Sequence, residues 1–258
     1  MDLVWLILIG SCGAVTVQLV ALAVAWRLKR VDFVDSVWGI SFIGIITALW
    51  ISGHTGNAAS LVGDILVTIW ALRLSSHIFQ RFLRSKEQDR RYTELISDWP
   101  SRFRWPQVFV RIFIVQAALA TIVGLPIIVL HSAESTTFWP VAIGVLVWLI
   151  GFNFEVIADR QLRTFIQSSR TGELMQSGLW RYSRHPNYFG EITMWWGLAI
   201  IGLAVPHGWI GIIGAFTISL LICFVSGIPP AEKNTASKKG WQEYKQKTSP
   251  LIPWPSKR

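Results

Sequence analysis

The chain has 258 residues, of which 52% are hydrophobic and only 15% charged. Apolar runs long enough to cross a bilayer recur along it, so the composition points to an all-α, polytopic membrane protein. A net charge of +9 would suggest nucleic acid in a soluble chain, but in a membrane protein the placement of charge matters more than its sum, and no nucleic-acid partner is expected. Cys12 and Cys223 lie far apart in apolar runs, which argues against a structural disulfide or metal site.

The first apolar run, 3–26, spans without difficulty. Ala21-Leu22-Ala23 imitates a signal-peptidase site, yet no Lys or Arg precedes the run, so a retained helix is expected. Further spans are predicted at 34–52, 61–83, 108–130, 138–157, 189–205 and 208–228, seven in all. Pro126 should kink the fourth, and Pro206-His207-Gly208 should turn the last pair into a tight hairpin. A single transmembrane domain over 1–258 is expected, with its core signature at 153–254.

All but one of the 24 lysines and arginines fall in four segments. Arg27, Lys29 and Arg30 follow the first span, and eight residues from Arg81 to Arg111 fill or border the segment after the third. Arg160, Arg163, Arg170, Arg181 and Arg184 follow the fifth, and seven more lie between Lys233 and Arg258. The exception is Arg73. Loops 52–60, 131–137 and 206–208 carry none. Cytoplasmic loops collect Lys and Arg, so the N-terminus is expected outside and the C-terminus in the cytoplasm.

Ionisable residues inside a membrane are costly and mark function by default. Here they are Asp35, Arg73, His77, Glu155 and Glu191, all expected in the cytoplasmic half and around one polar chamber. Trp70, Arg73 and His77 share a helix face; Glu155, Asp159 and Arg163 continue another out of the membrane. The plainer alternatives are that Arg73 pairs structurally with Asp35 or Glu155, and that His77 is a core residue. Asp64, at an outer helix end, reads as an interfacial charge.

The densest chemistry is Gly178-Leu179-Trp180-Arg181-Tyr182-Ser183-Arg184-His185-Pro186-Asn187-Tyr188-Phe189-Gly190-Glu191. Pro186 suits a first helical position, and Asn187 and Glu191 then fall on one helix face. The tail, with Pro229-Pro230, Trp241, Tyr244 and Pro253-Trp254, is basic and aromatic and should dock like a flap. Arginine forks match phosphates and carboxylates accept from sugar hydroxyls, so a nucleotide-like ligand is suggested. No GxGxxG or phosphate-loop glycine pattern is present.

These stretches, with Val34-Asp35-Ser36-Val37-Trp38-Gly39, Trp70-Ala71-Leu72-Arg73-Leu74 and Asp89-Arg90-Arg91-Tyr92, resemble the DUF1295 branch of the steroid 5-alpha-reductase-like membrane enzymes. The resemblance implies seven helices, NADPH in a cytoplasm-facing cavity, and reduction of a carbon–carbon double bond conjugated to a ketone. A steroid or related lipid would enter from the bilayer. By matching position, Asp159, Arg163, Asn187 and Tyr188 would hold the cofactor, with Arg184, His185 and Lys233 near its phosphates. Arg73, Glu155, Tyr182 and Tyr244 are counted with that set, and Glu191 matches a carboxylate beside the nicotinamide. Trp38, Trp70 and Gln116 would line the substrate.

Steroid reductases use a Glu–Tyr pair to polarise the ketone. The four tyrosines here are 92, 182, 188 and 244, none in the third span, and Trp70 occupies the tyrosine's place. Asp35 is the stand-in for the glutamate, and a protonated Asp35 or His77 would be the proton donor. The resemblance places the protein in the inner membrane of a bacterium or the endoplasmic reticulum of a eukaryote, with membrane lipids around it and no obligate protein partner. Two rival readings stay open: an S-adenosylmethionine-dependent membrane methyltransferase of the isoprenylcysteine carboxyl type, and a non-catalytic lipid-binding protein. Against the first, Glu232 is followed by Lys233 where those enzymes usually pair glutamates.

Overall fold

A computed structural model describes residues 2–53, 56–134, 136–168 and 172–255. Arg170, Lys257 and Arg258, used above in the charge pattern, lie outside the described residues. Among those described there is no strand. The chain runs as α1 (Leu3–Leu28), α2 (Phe33–Ser36), α3 (Trp38–Ile51), α4 (Ala58–Arg84), α5 (Arg90–Ile96), α6 (Arg104–Val108), α7 (Val115–Val123) and α8 (Leu125–Leu130). It continues through α9 (Phe138–Ser168), α10 (Pro186–Gly202), α11 (Gly211–Leu220), α12 (Ile228–Thr235) and α13 (Trp241–Lys247).

Five helical stretches among the described residues are long and apolar enough to cross a membrane: Leu3–Leu28, Ala58–Arg84, Ser101–Val123, Phe138–Ser168 and Gly208–Thr235. The chain is an integral, multi-pass membrane protein. The other two expected spans fold as α3 and α10, of 14 and 17 residues, short of the roughly 20 that a crossing usually takes.

Local chemistry sets the helix ends. Asp2 starts α1 by accepting from the Val4 amide at 3.2 Å, and Lys29, left-handed at φ 55°, ends it. Asn57 and Ser60 form a reciprocal capping box at the head of α4. The spare Asn57 amide donates to the Leu130 and Ala133 carbonyls at 2.7 and 2.6 Å. The kink expected at Pro126 is a full break: Gly124 separates α7 from α8, and Pro126 occupies the first turn of α8, where its missing N–H costs nothing. Wider π-type turns interrupt the same span again at Phe109–Ile114 and the last span at Leu221–Val225.

The chain groups into two compact units, Met1–Phe138 with Gly202–Ile213, and Trp139–Ile201 with Gly214–Arg258. In the first, α3 approaches α4 closely at Gly39, where a Cβ would lie 2.7 Å from the Ala71 carbonyl oxygen. Trp70, buried, meets Phe42 edge-on at 5.5 Å, and Phe42 meets Trp38 at 5.4 Å. Asp64 corrects an expectation. It is buried rather than interfacial, accepting from Trp50 Nε1 at 2.8 Å and facing His131 Nε2 at 3.3 Å. The Asn57 bonds to residues 130 and 133 bring His131 onto the head of α4.

The second unit is built on a seam of glycines. Gly144 and Gly151 of α9 face Gly197 and Gly190 of α10: a Cβ on Gly144 would lie 2.5 Å from the Gly197 oxygen, and one on Gly151 2.6 Å from the Gly190 oxygen. Equal spacing on helices that run opposite ways lets two backbones touch, the packing that suits helices in lipid, where burial of apolar surface drives nothing. The same seam sets Glu155, buried, against the first turn of α10, since a Cβ on Gly190 would lie 2.6 Å from the Glu155 amide nitrogen.

Candidate active site

The stretch 178–191 is anchored at its start by α9. The Leu179 amide donates to Gln161 Oε1 at 3.0 Å and Trp180 Nε1 to the Ala158 carbonyl at 3.1 Å. Its middle is then paired with the tail. The Arg184 amide donates to the Ser249 carbonyl at 2.8 Å, Ser183 Oγ to the Leu251 carbonyl at 2.7 Å, and the Trp254 amide to the Tyr182 carbonyl at 3.0 Å. Tyr244 Oη donates to the Trp180 carbonyl at 2.6 Å, and burial pushes this phenol upward. The tail docks as the expected flap, and its contacts are mostly backbone.

Arg184 fastens this arrangement. Its Nε and Nη2 donate to Glu232 Oε1 at 2.9 and 2.6 Å, while Nη1 donates to the Lys245 and Thr248 carbonyls at 2.9 and 2.5 Å. Lys245 Nζ reaches the other Glu232 oxygen at 3.3 Å. A guanidinium so committed positions the tail.

Next to it are polar atoms with nothing to bond. His185 is buried and stacks on Tyr188, ring centroids 5.3 Å apart. Its Nε2 is buried without a hydrogen-bond partner, 3.7 Å from Glu232 Oε1. Burial outweighs the pull of Glu232 and lowers the imidazole to about 4, so the ring is neutral. Asn187 Oδ1, in the first turn of α10, is also buried and unpartnered. Each such atom costs about 1–3 kcal/mol. Both lie within one turn of the polar motif, His185 Nε2 facing Glu232 and Asn187 Oδ1 at the head of α10.

The first unit holds a second constellation. Tyr92 Oη donates to Asp35 Oδ1 at 2.5 Å, and Arg91 Nη2 donates to Asp35 Oδ2 at 3.0 Å. Asp89 caps α5 through the Arg91 amide at 2.9 Å, and its own amide donates to Asp32 Oδ2 at 3.1 Å. Arg30 closes the knot, binding Asp32 at 2.7 Å and lying 3.8 Å over the Phe82 ring. Burial raises the Asp35 carboxyl above its ordinary range, against the Tyr92 hydrogen bond and the Arg91 charge, which pull it down. Burial, and then Asp35, push the Tyr92 phenol well above its usual range. Asp35 also lines a small polar cavity of about 190 Å³ with Asp32, Arg81 and Asp89.

A family model described as a protein of unknown function (DUF1295) matches residues 21–248. The chain belongs to the DUF1295 family. This DUF1295 protein is also similar to relatives named 3-oxo-5-alpha-steroid 4-dehydrogenase 1. It is 31% identical to that of Macaca fascicularis over 113 residues, covering 43% of this chain and 40% of that one. The Homo sapiens protein is 30% identical over 113 residues, again 43% and 40% of the two chains. The Bos taurus protein is 34% identical over 67 residues, 26% of each. The matched stretches thus span less than half of the relatives' own length. No solved structure matches.

Within the second unit of the DUF1295 protein, the structure brings Tyr182, Arg184, His185, Asn187, Tyr188 and Tyr244 together around the docked tail. Glu155 abuts the same helix start, Asp159 follows it one turn on, and Glu191 is half-buried four residues after Asn187. Arg163 and Lys233 are exposed. In the first unit Trp70 is buried, Trp38, Arg73 and Gln116 are half-buried, and His77 is exposed on α4. Sequence reasoning missed Glu232 as the partner of Arg184 and Tyr92 as the partner of Asp35. The signal for Tyr92 was present: it is the one tyrosine on the charged segment 84–104, in the Asp89-Arg90-Arg91-Tyr92 motif.

Proposed function

We propose that this protein is an NADPH-dependent membrane reductase that acts on the carbon–carbon double bond of an enone, a 3-oxo-4-ene steroid or a related lipid. The observation that carries the reading is the pair of buried, unpartnered atoms, His185 Nε2 and Asn187 Oδ1, in a motif that also belongs to the DUF1295 family. The names of the relatives supply the reaction class. Seven crossings, with α3 and α10 as the short ones, an outside N-terminus and a cytoplasmic C-terminus complete it.

Asn187, Tyr188, His185, Asp159 and Arg163 would hold the cofactor, with Glu155 and Glu191 at the head of α10 and Lys233 as a further cation. When bound, NADPH supplies the hydride. The chain's own part is to exclude water and to place a proton. Burial favours the protonated form of Asp35, so Asp35 is the acid we favour, with Tyr92 Oη and Arg91 orienting its carboxyl and His77 as the alternative. A donor aimed at the developing enolate oxygen stabilises charge that exists only in the transition state.

The test is a thermal shift of detergent-purified protein with NADPH, NADH and S-adenosylmethionine in parallel, because a ligand of the folded state raises the melting temperature by mass action. A rise with NADPH alone, lost in Asn187→Ala and Glu191→Gln at unchanged folded yield, is expected. A rise with S-adenosylmethionine only would replace the reductase by the methyltransferase.

A further inference from the structure

A cavity of about 610 Å³ opens in the first unit beside the end of α1, with Asp35 and Tyr92 absent from its lining. Its charged lining residues are Arg27, Lys29 and Arg104, with no carboxylate among them. Arg104 carries a buried Nε with no hydrogen-bond partner, and its Nη2 reaches only the Trp99 carbonyl at 3.5 Å. Arg104 also opens the helical run toward Val123, the end where the helix dipole disfavours a cation. Gln88, Thr93 and Ser97 add neutral hydrogen-bonding groups, while buried Val31 and Val108 form an apolar floor. At the rim Trp26 stands 62% exposed in the last turn of α1, a helix long and apolar enough to cross a membrane.

Among the described residues no carboxylate pairs with these three cations, and the partly desolvated Arg104 has an unused donor, so an anion placed among them gains charge-assisted hydrogen bonds. An apolar floor and a tryptophan at a membrane-crossing helix end suit an amphiphile lying at the interface. We propose that this cavity binds the phosphate headgroup of an anionic phospholipid, its glycerol hydroxyls meeting Gln88, Thr93 and Ser97 and its chains leaving past Trp26. The site is independent of the reductase reading.

Native mass spectrometry of the full chain tests it, with phosphatidylglycerol, phosphatidylcholine and inorganic phosphate added separately. Phosphatidylglycerol should be retained well above phosphatidylcholine, and retention should fall about fivefold for each cation removed, the value of one basic residue at an anionic surface. Arg27→Gln, Lys29→Gln and Arg104→Gln are the variants. The first two alter exposed side chains and keep the test alive should the Arg104 change impair folding. Arg160→Gln, on an exposed position of α9, should change nothing. Equal retention of the two lipids, or an equal loss in Arg160→Gln, would overturn the site. Displacement of phosphatidylglycerol by equimolar inorganic phosphate would overturn the lipid in favour of a free-phosphate site.

Discussion

Gly190→Ala adds one methyl group at the α9–α10 seam. Its Cβ would lie 2.5 Å from the Gly151 oxygen, 2.6 Å from the Glu155 nitrogen and 3.0 Å from the Glu155 Cβ. Ordinary contact begins at 3.4 Å, and two of the three obstructing atoms are backbone, so no side chain can rotate away. The helices must part by nearly an ångström where Glu155 meets the head of α10. Overpacking of this kind costs about 1–3 kcal/mol, and roughly 2–4 °C of melting temperature accompanies each kcal/mol in a chain of this size. A displacement of about 1 Å at a reacting site also costs on the order of 100-fold in rate. A detergent thermal melt with and without NADPH reads both effects. The variant should melt lower and lose most of its NADPH-induced rise. Gly63→Ala, whose added methyl meets only the end of the Leu130 side chain at 2.8 Å, should lose far less. A Gly190→Ala protein that melts with the parent and keeps its NADPH response would refute the reasoning.

Arg184→Ala leaves Glu232 and two tail carbonyls without their donor and should cost about 3–5 kcal/mol; Arg184→Lys keeps the charge but not the fork. Limited proteolysis should therefore cut residues 228–254 faster in both, with alanine the faster. His185 gives a pH dependence. Its folded pKa of about 4 lies below the ordinary 6.5, so the unfolded chain binds the proton first. The stability present above pH 6.5 is lost as pH falls toward 4, and melting curves across that window should flatten in His185→Gln. Asp35→Asn removes the proposed acid and should lower kcat by about 10²–10⁴-fold while leaving the NADPH thermal shift intact. Tyr92→Phe, which removes its hydrogen-bond partner, should fall less far, the double variant little further than Asp35→Asn, and His77→Gln scarcely at all. Additive losses would separate the two roles.

Much of the second unit was legible because its signals are local. Pro186 begins α10 where a first-turn proline belongs, and Asn187 with its unpartnered oxygen lies in the stretch singled out for density of chemistry. The glycine seam was less so: Gly144 and Gly151, or Gly190 and Gly197, look ordinary until the two helices are opposed. The resemblance puts Arg184 near the cofactor's phosphates, whereas the fold commits it to Glu232 and the tail. Its partner Glu232 is 48 residues away, and only the folded tail returns it. Tyr92 was overlooked for a like reason, since the search for a tyrosine kept to the third span while the short α5 carries one back to Asp35. Span 34–52 is shortened at its start, where Val37 separates α2 from α3, while span 189–205 is shifted to Pro186–Gly202 because Pro186 already begins the helix.

The bonds from Tyr182, Ser183 and Arg184 to residues 245–254 also order events in time. Translation makes this tail after every membrane-crossing helix of the chain. The stretch 178–191 therefore enters the bilayer region with its strongest donor, Arg184, still waiting for Glu232 and the late carbonyls. Until they arrive, Arg184 lacks the carboxylate and carbonyls that bury it in the folded chain. The docked arrangement of 178–191 can form only once residues 232–254 have been made, so a chain halted before Trp241 would hold the motif without its anchor.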